Sequence, residues 1–540
     1  MGQLLYDKAS LVNIPSRYKD GKLYNIKPSN ADFEFERGTQ ATRVNKDGLI
    51  EYIGIGEELI NYDAFYYGSG GFSLVGNKWF FDDVTNGHLN ILVNEQLSVV
   101  VGETYEVVVD VSISSGNAGF RLTSGNSQTI LFNYRDFPDG VTKFTTTVTG
   151  IDGLIQRLTA PTSVNDGAFT LNSISVKKIS NDTPRIDYTD SNNPSLLLEP
   201  ARTNLVEDSW DTNTWTWGRD ANPNNTTRDF GYSAPDGSNN ATLFTRNAGT
   251  TGWFAWGNIT TGVNADFTYS VFVKKGTSDT IELFNVSTSP QSKVVYNFNT
   301  NTFTTELNAT GKSVSYSDGW YRISMTYANG TTASSQIRHN LEDGESVYVF
   351  GAQAEQGSYA TSYIPTNGGT ETRNAEECTG GGDADTFNDS EGVLFVEFSA
   401  FEDTTNRTIL FEDENADNRI FIRIGGNGFL YFFVDVGGTQ IIASNWSGFE
   451  QTDNNKVAVR YSSSGYSVYV NGIERLAGAN SISFTSNMNE IKMITFPSRI
   501  KSINYFPEAL EDHELERLTS PTPFESSFED LANNNGYTIL

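Results

Sequence analysis

The sequence predicts an all-β chain: a multidomain string of antiparallel β-sandwiches with very little helix. Three observations carry that reading. The length of 540 residues is several times the ~150 that serves as a guide for one domain, so the chain has room for three or four separate cores. Aromatic residues make up 13% of the chain, with 35 Phe, 25 Tyr and 49 Gly against only 4 Met, a mixture suited to strands and turns. Period-two alternation recurs along the chain, as in GETYEVVVDVSIS, where Tyr105, Val107, Val109, Val111 and Ile113 fall on one face.

Taken in order, residues 1–56 alternate short apolar runs with turn signals such as Pro28-Ser29-Asn30 and Lys46-Asp47-Gly48. This segment is too polar for a large core, so it is expected to pack on neighbouring copies or on another protein. Residues 57–179 show strands at the spacing of a jelly-roll sandwich, with Phe144, Val148, Leu171, Ile174 and Val176 marking further strands. Residues 180–206 read as a connector, because Pro184 and Pro194 disfavour helix, Asn and Ser supply turns, and Leu196 to Leu198 form a short apolar anchor.

Residues 207–362 repeat the plan of 57–179. ADFTYSVFVKKGTSD stands where GETYEVVVDVSISSG stood, and SVYVFGAQAEQGS closes the block as TLNSISVKKIS closed the earlier one, which predicts a diverged tandem duplication. Residues 363–387 form a linker rich in Gly and polar residues. In 388–520, Val457, Val459 and Tyr461 alternate, Ser462 to Gly465 turn, Tyr466, Val468 and Val470 alternate again, and Asn471-Gly472 makes a type I′ hairpin turn. That block is expected to end in a strand and a short helix carrying Leu510, Leu515 and Leu518. Residues 521–540 are a tail in which Ser527 and Asp530 form a capping-box pattern.

The formal charge of −29 argues against nucleic-acid binding, which needs clustered Lys and Arg to displace counterions. One cysteine, Cys378, makes no internal disulfide, so core burial and association must stabilise the fold. The N-terminal residues show no basic-then-apolar leader and no stretch is apolar enough to span a bilayer, so neither secretion nor membrane insertion is expected.

Several segments resemble pieces of one family of bacteriophage virion adhesins and fibres. MGQLLYDKASLVNIPSRYKDGKLYNIKPSNADFEFERGTQATRVNKDGLIE is similar to the N-terminal region of tail-fibre, head-fibre and lectin-like proteins of phages, particularly those infecting Bacteroidota. PRIDYTDSNNPSLLLEPARTNLV resembles their connector, and FTYSVFVKKG with DGWYRISMTY resembles their jelly-roll, carbohydrate-binding-like module, which GAQAEQGSYATSYIPTNGGTETRNAE leaves. The block 388–520 looks like a concanavalin A-like, laminin G-type lectin sandwich. The resemblance implies a virion structural protein, made in the bacterial cytoplasm, that forms a homo-oligomer, expected to be a trimer, with other virion proteins. It implies attachment to host surface polysaccharide and no enzymatic activity. A capsid decoration or head-fibre scaffold is the alternative reading, and a polysaccharide depolymerase the third. Residues 57–179 are extra relative to shorter members, as though inserted between the N-terminal region and the connector.

Five of the eight tryptophans, Trp210, Trp215, Trp217, Trp253 and Trp256, fall close together in sequence, and flat indole faces suit the C–H faces of sugars. The plainer reading makes most of them core or interface residues, and both readings stand at this point. Glu412, Asp413 and Glu414 in FEDEN do not keep the alternating carboxylate spacing of a glycosidase strand, and a solvated loop is preferred. His88, His339 and His513 are too scattered for zinc. Laminin G-type and jelly-roll domains often carry calcium, for which Asp413, Asp417 and Asn418 would be ligands; solvated turn residues are the preferred alternative, and no other cofactor is expected. Glu199 and Arg202 in the connector are expected to act structurally, with Arg202 clamping carbonyls or a carboxylate of the next domain.

Overall fold

The computed structural model describes residues 3–19, 21–27, 32–82, 85–126, 128–160, 167–189, 194–210, 216–217, 226–249, 253–255, 259–260, 265–288, 290–329, 334–402, 405–494 and 496–521. Those residues form antiparallel sheets, with α-helix confined to Gln3–Lys8 and Asp512–Thr519. They divide into two compact units, each assembled from separated stretches of chain.

The first unit comprises residues 1–38, 182–201 and 374–540. Its two sheets make the concanavalin A-like sandwich. A nine-stranded sheet runs Tyr18–Lys19, Lys22–Leu23, Phe33–Glu36, Glu377–Gly381, Met488–Ile494, Arg407–Asp413, Arg419–Ile424, Leu430–Val436, Thr439–Trp446. The facing eight-stranded sheet centres on Ser498–Phe506, Gly392–Ala400 and Asn455–Ser462. Residues of the N-terminal segment complete both sheets. Leu11–Asn13 and the connector strand Ser195–Leu198 lie end to end along one edge of Ser498–Phe506, Leu11 opposite Tyr505 and Leu196 opposite Ile500.

The reason is visible in the burial pattern. Leu11, Leu23, Phe33, Phe35, Leu196 and Leu198 enter the same core as Phe411, Ile422 and Tyr505, so a segment too polar for its own core shares one built elsewhere. The hairpin at Asn471-Gly472 forms as expected, with φ of 52° and 84°, the left-handed pair that a type I′ turn requires. Helix Asp512–Thr519 carries Leu515 and Leu518 onto Val393, Phe395 and Tyr469. The capping-box pattern at Ser527 and Asp530 lies outside the described residues, whereas Glu511 and Glu514 cap this helix reciprocally.

A buried ionic cluster ties the three stretches of this unit together. Arg185 donates to Glu376 and, at 2.8 Å, to Glu199; Arg37 donates to Glu376 at 2.9 Å. All four side chains are buried. Burial works against the Arg185 charge, yet Glu376 and Glu199 outweigh it and hold the guanidinium more firmly protonated than usual. The chain leaves this unit after Gly38 and re-enters at Asp182, whose Oδ1 accepts from the amides of Arg37 at 2.9 Å and Gly38 at 2.7 Å. It leaves again after Ala201 and returns at Asn374, where the Glu376 amide donates to the Glu199 carbonyl at 3.1 Å. Each excursion therefore starts and ends at one place.

The second unit comprises residues 39–181 and 202–373 and holds two jelly-roll modules. In the first, Thr104–Ile113 lies between Gly140–Thr147 and Phe169–Ile179. In the second, Ala265–Lys275 lies between Trp320–Asn329 and Ser346–Gln356. The opposing sheets correspond strand for strand: Ile130–Phe137, Ala118–Thr123, Arg157–Ala160, Gly87–Ile91, Phe65–Ser69 match Ser292–Asn297, Thr280–Asn285, Ile337–Asn340, Phe254–Ala255, Thr216–Trp217. Even the small ladder Leu97–Val99 with Gly153–Ile155 has its counterpart in Ile259–Thr260 with Ser334–Ser335. The second module adds one edge strand to each of its two sheets, Thr302–Leu307 beside Ser292–Asn297 and Thr310–Ser315 beside Trp320–Asn329. The two modules share a core, in which Trp210, Phe272, Trp320, Phe350 and Tyr363 join the residues of the first.

Candidate functional site

The outward face of the nine-stranded sheet departs from the polar surface that a solvent-facing sheet ordinarily presents. Along Arg407–Asp413, Arg419–Ile424 and Leu430–Val436, the inward positions Ile409, Phe411, Ile420, Ile422, Phe432 and Val434 are buried in the core. Period-two alternation then places Thr408, Leu410, Phe421, Arg423, Tyr431 and Phe433 on the opposite face, where all are half-buried. Register lines them up across the strands. Leu410 stands opposite Phe421, which stands opposite Phe433; in the adjoining row Thr408 faces Arg423, which faces Tyr431.

The rings form a platform. Tyr431 and Phe433 lie nearly parallel, with centroids 5.7 Å apart and planes at 7°, and Phe429 continues the row at 6.4 Å from Tyr431. Phe421 closes it edge-on, 6.3 Å from Phe433 with planes at 90°. The Arg423 guanidinium sits over two of these rings, 5.2 Å from the Phe433 centroid and 5.5 Å from that of Phe421, the geometry of cation–π attraction. Its Nε donates to Thr408 Oγ1 at 3.1 Å.

A charged row borders the platform. Arg419 Nη2 donates to Asp435 Oδ2 at 2.6 Å, and Lys492 pairs with Glu412 and, at 3.2 Å, with Glu490. Burial works against the Lys492 charge, and Glu412 and Glu490 together more than restore it, so the ammonium is held above its ordinary range. Flat rings beside fixed donors and acceptors can take a saccharide by its C–H face and hydroxyl edge together.

Trp210 and Trp253 occupy other places. Trp210 is 7% exposed, with the Arg135 guanidinium 4.0 Å from its ring, and it lines a small pocket where the two modules of the second unit meet. That pocket is lined by groups already engaged with one another: Thr42 Oγ1 donates to the Tyr363 carbonyl at 2.5 Å, Asp236 accepts from Ser238, and Lys143 pairs with Glu106 at 3.1 Å. Burial pushes the Asp236 carboxyl up, against the pull of Ser238 and Lys143. Trp253 is 9% exposed, with Arg338 4.3 Å above its ring. The strand Thr216–Trp217 pairs with Phe254–Ala255; the Trp217 side chain, Trp215 and Trp256 lie outside the described residues.

The residues considered for calcium form a turn clasp. Asp413 Oδ1 accepts from the amides of Asp417 at 2.9 Å and Asn418 at 3.2 Å, and Oδ2 accepts from Asn418 Nδ2 at 2.7 Å and from the Ser486 hydroxyl. Asn418 Oδ1 accepts from Gly437 and Thr485. Burial raises the Asp413 carboxyl, but the Ser486 and Asn418 hydrogen bonds prevail and hold it below its ordinary range. Donors from the chain itself thus occupy the oxygens of Asp413 and Asn418 that would face a cation. No group of three or more His, Cys, Asp or Glu side chains in metal-holding range occurs among the described residues.

Glu199 belongs to the buried cluster with Arg185 and Glu376. Arg202 lies in the second unit, its Nε 3.8 Å from the buried Glu355, which also accepts from Thr361 and Gln353. The connector arginine with two carboxylate partners is Arg185, which sequence reasoning missed. It opens the strand Arg185–Asp187, whose three residues are all buried although two are charged, a burial that the polar local sequence does not signal.

No family model matches this sequence, and no curated protein resembles it closely enough to count as a relative. Among solved structures, the chain is similar to the carbohydrate-binding module of an intramolecular trans-sialidase from Ruminococcus gnavus bound to α2,3-sialyllactose, with 15% identity over 25% of this chain and 84% of that one and a TM-score of 0.22. It is similar to domain 4 of a GH43 extracellular arabinanase from Geobacillus stearothermophilus in complex with arabinotriose, with 16% identity over 30% and 83% and a TM-score of 0.24. A heptameric pentraxin from Limulus polyphemus matches at 12% identity over 24% and 70%, with a TM-score of 0.20.

Proposed function

We propose that this chain is a bacteriophage virion fibre or adhesin subunit that holds saccharides of the host surface on the outward face of its concanavalin A-like sandwich. The observation that carries this reading is the platform of Phe421, Tyr431 and Phe433, with Arg423 laid across it, on a sheet face turned away from the core. The order of fibre-like segments along the sequence supports the virion setting. In this reading the chain works as a homo-oligomer, a trimer, alongside other virion proteins. Copies on one particle raise the effective concentration, so a shallow site of low intrinsic affinity suffices.

The test is binding of the whole chain to an array of bacterial surface polysaccharides. Wild type is expected to bind a subset, and Phe433→Ala and Phe421→Ala to weaken binding at least tenfold while circular dichroism and melting temperature show the sandwich folded. If both variants bind as wild type does, the site is elsewhere. An array on which wild type binds nothing favours a capsid scaffold over an adhesin.

A further inference from the structure

We infer that the saccharide held on this face carries an anionic group, and that Arg423 is the residue that reads it; the inference rests on the saccharide-binding reading above. Three cations stand on the outward face beside the rings. Lys492 is matched by Glu412 and Glu490, and Arg419 by Asp435, in each case within ion-pair distance. Arg423 differs. Its one side-chain hydrogen bond among the described residues goes from Nε to the Thr408 hydroxyl, a neutral acceptor, and its guanidinium lies over Phe421 and Phe433.

The composition makes that arrangement informative. Asp and Glu number 66 against 37 Lys and Arg, so carboxylates are the commonest charged neighbour this chain has to offer. Arg423 nevertheless stands opposite Thr408 on one side and Tyr431 on the other. A guanidinium carries five N–H donors in a planar fork. With Nε used by Thr408, the two terminal nitrogens are left to receive a partner from outside the chain.

The rings beneath the guanidinium give it a flat seat, and its hydrogen bond to the Thr408 hydroxyl fixes its rotation about the side chain. That is pre-organisation for a two-pronged contact with an oxyanion, for which an arginine fork is better matched than a lysine ammonium. A pyranose lying on Tyr431, beside the two rings that carry the guanidinium, would bring a ring substituent over Arg423. The chemistry that completes the site is therefore an oxyanion on a sugar: the carboxylate of an acidic sugar, or a sulfate ester.

The experiment measures the whole chain by calorimetry at physiological salt against two matched pairs: oligogalacturonate with its methyl ester, and dextran sulfate with dextran. Binding is expected to be at least tenfold tighter for an anionic member than for its neutral partner, and the pair that shows it separates carboxylate from sulfate recognition. Arg423→Gln should erase that preference, Arg423→Lys should restore only part of it, and Phe433→Ala should weaken both members. Equal affinity for charged and neutral members, or a preference that survives Arg423→Gln, overturns the assignment of Arg423 while leaving a saccharide site in place. Absence of binding to all four probes, together with none on the polysaccharide array, overturns the saccharide reading itself.

Discussion

Arg185 and Glu376 meet in a two-pronged ion pair inside the concanavalin A-like sandwich, Nε to Oε1 at 2.7 Å and Nη2 to Oε2. They are 191 residues apart in sequence, and with Arg37 and Glu199 they balance two positive charges against two negative ones where water is excluded. A buried pair adds little relative to an apolar one, but removing one member leaves an uncompensated charge, which costs about 3–5 kcal/mol. Glu376→Gln should therefore loosen this unit by that order. Hydrogen exchange is expected to rise in Arg185–Asp187, Ser195–Leu198 and Glu377–Gly381, with Ala265–Lys275 in the other unit unchanged. Unchanged exchange in all four strands would show the cluster to be dispensable.

The adjacency of Gly38 to Asp182, and of Glu199 to Glu376, makes both excursions removable in principle. A chain joining residues 1–38, 182–201 and 374–540 through short Gly-Ser links should fold. Trp446 is then its single tryptophan, half-buried with Arg475 4.5 Å from its ring. Its fluorescence should report one cooperative urea transition. A non-cooperative transition would mean that the sandwich depends on the jelly-roll unit.

His339 predicts a pH dependence for the second jelly roll. Its ring is buried, parallel to Phe254 at 4.5 Å, and bonded to Tyr269 Oη and the Phe254 carbonyl. Burial lowers its pKa from 6.5 to about 4, against the pull of the Phe254 carbonyl. Between those values the unfolded chain binds a proton that the folded chain does not. Stability is thus complete above pH 6.5 and falls as the pH drops toward 4, by up to about 3 kcal/mol from this one group. Urea midpoints for wild type and His339→Phe, followed at pH 7 and pH 4.5, should differ in slope: the variant loses less on acidification. Parallel losses would remove His339 as a cause.

The Asp413 clasp predicts indifference to calcium. Four hydrogen bonds from Asp417, Asn418 and Ser486 occupy its oxygens, so neither chelator nor added calcium should shift the melting of the sandwich, whereas Asp413→Ala should cost about 1–3 kcal/mol. A calcium-dependent rise in melting temperature that Asp413→Ala abolishes would restore the metal reading.

Local pattern made much of the fold legible. Alternation in KVAVRY and YSVYV, the Asn471-Gly472 turn and the repeated plan of the two jelly rolls all express interactions between near neighbours in sequence. The pairing of Leu11–Asn13 and Ser195–Leu198 with Ser498–Phe506 does not. Strands that meet across hundreds of residues leave no periodic trace, so the N-terminal segment reads as unpartnered when its partner is simply distant. The site was obscured for a related reason. Closeness in sequence pointed to Trp210 and Trp253, which are buried under Arg135 and Arg338. The platform's rings instead alternate with core residues in RIFIRI and LYFFVDV, where apolar side chains on both faces disguise which face meets solvent.

Hydroxyl-radical footprinting of the whole chain, with and without a bound polysaccharide from the array, tests the central claim most directly. The account predicts protection of Phe421, Tyr431 and Phe433, while the exposed Tyr66 and Tyr67 of the first jelly roll react as before. Protection at Tyr66 and Tyr67 with the three sandwich rings unchanged would contradict it.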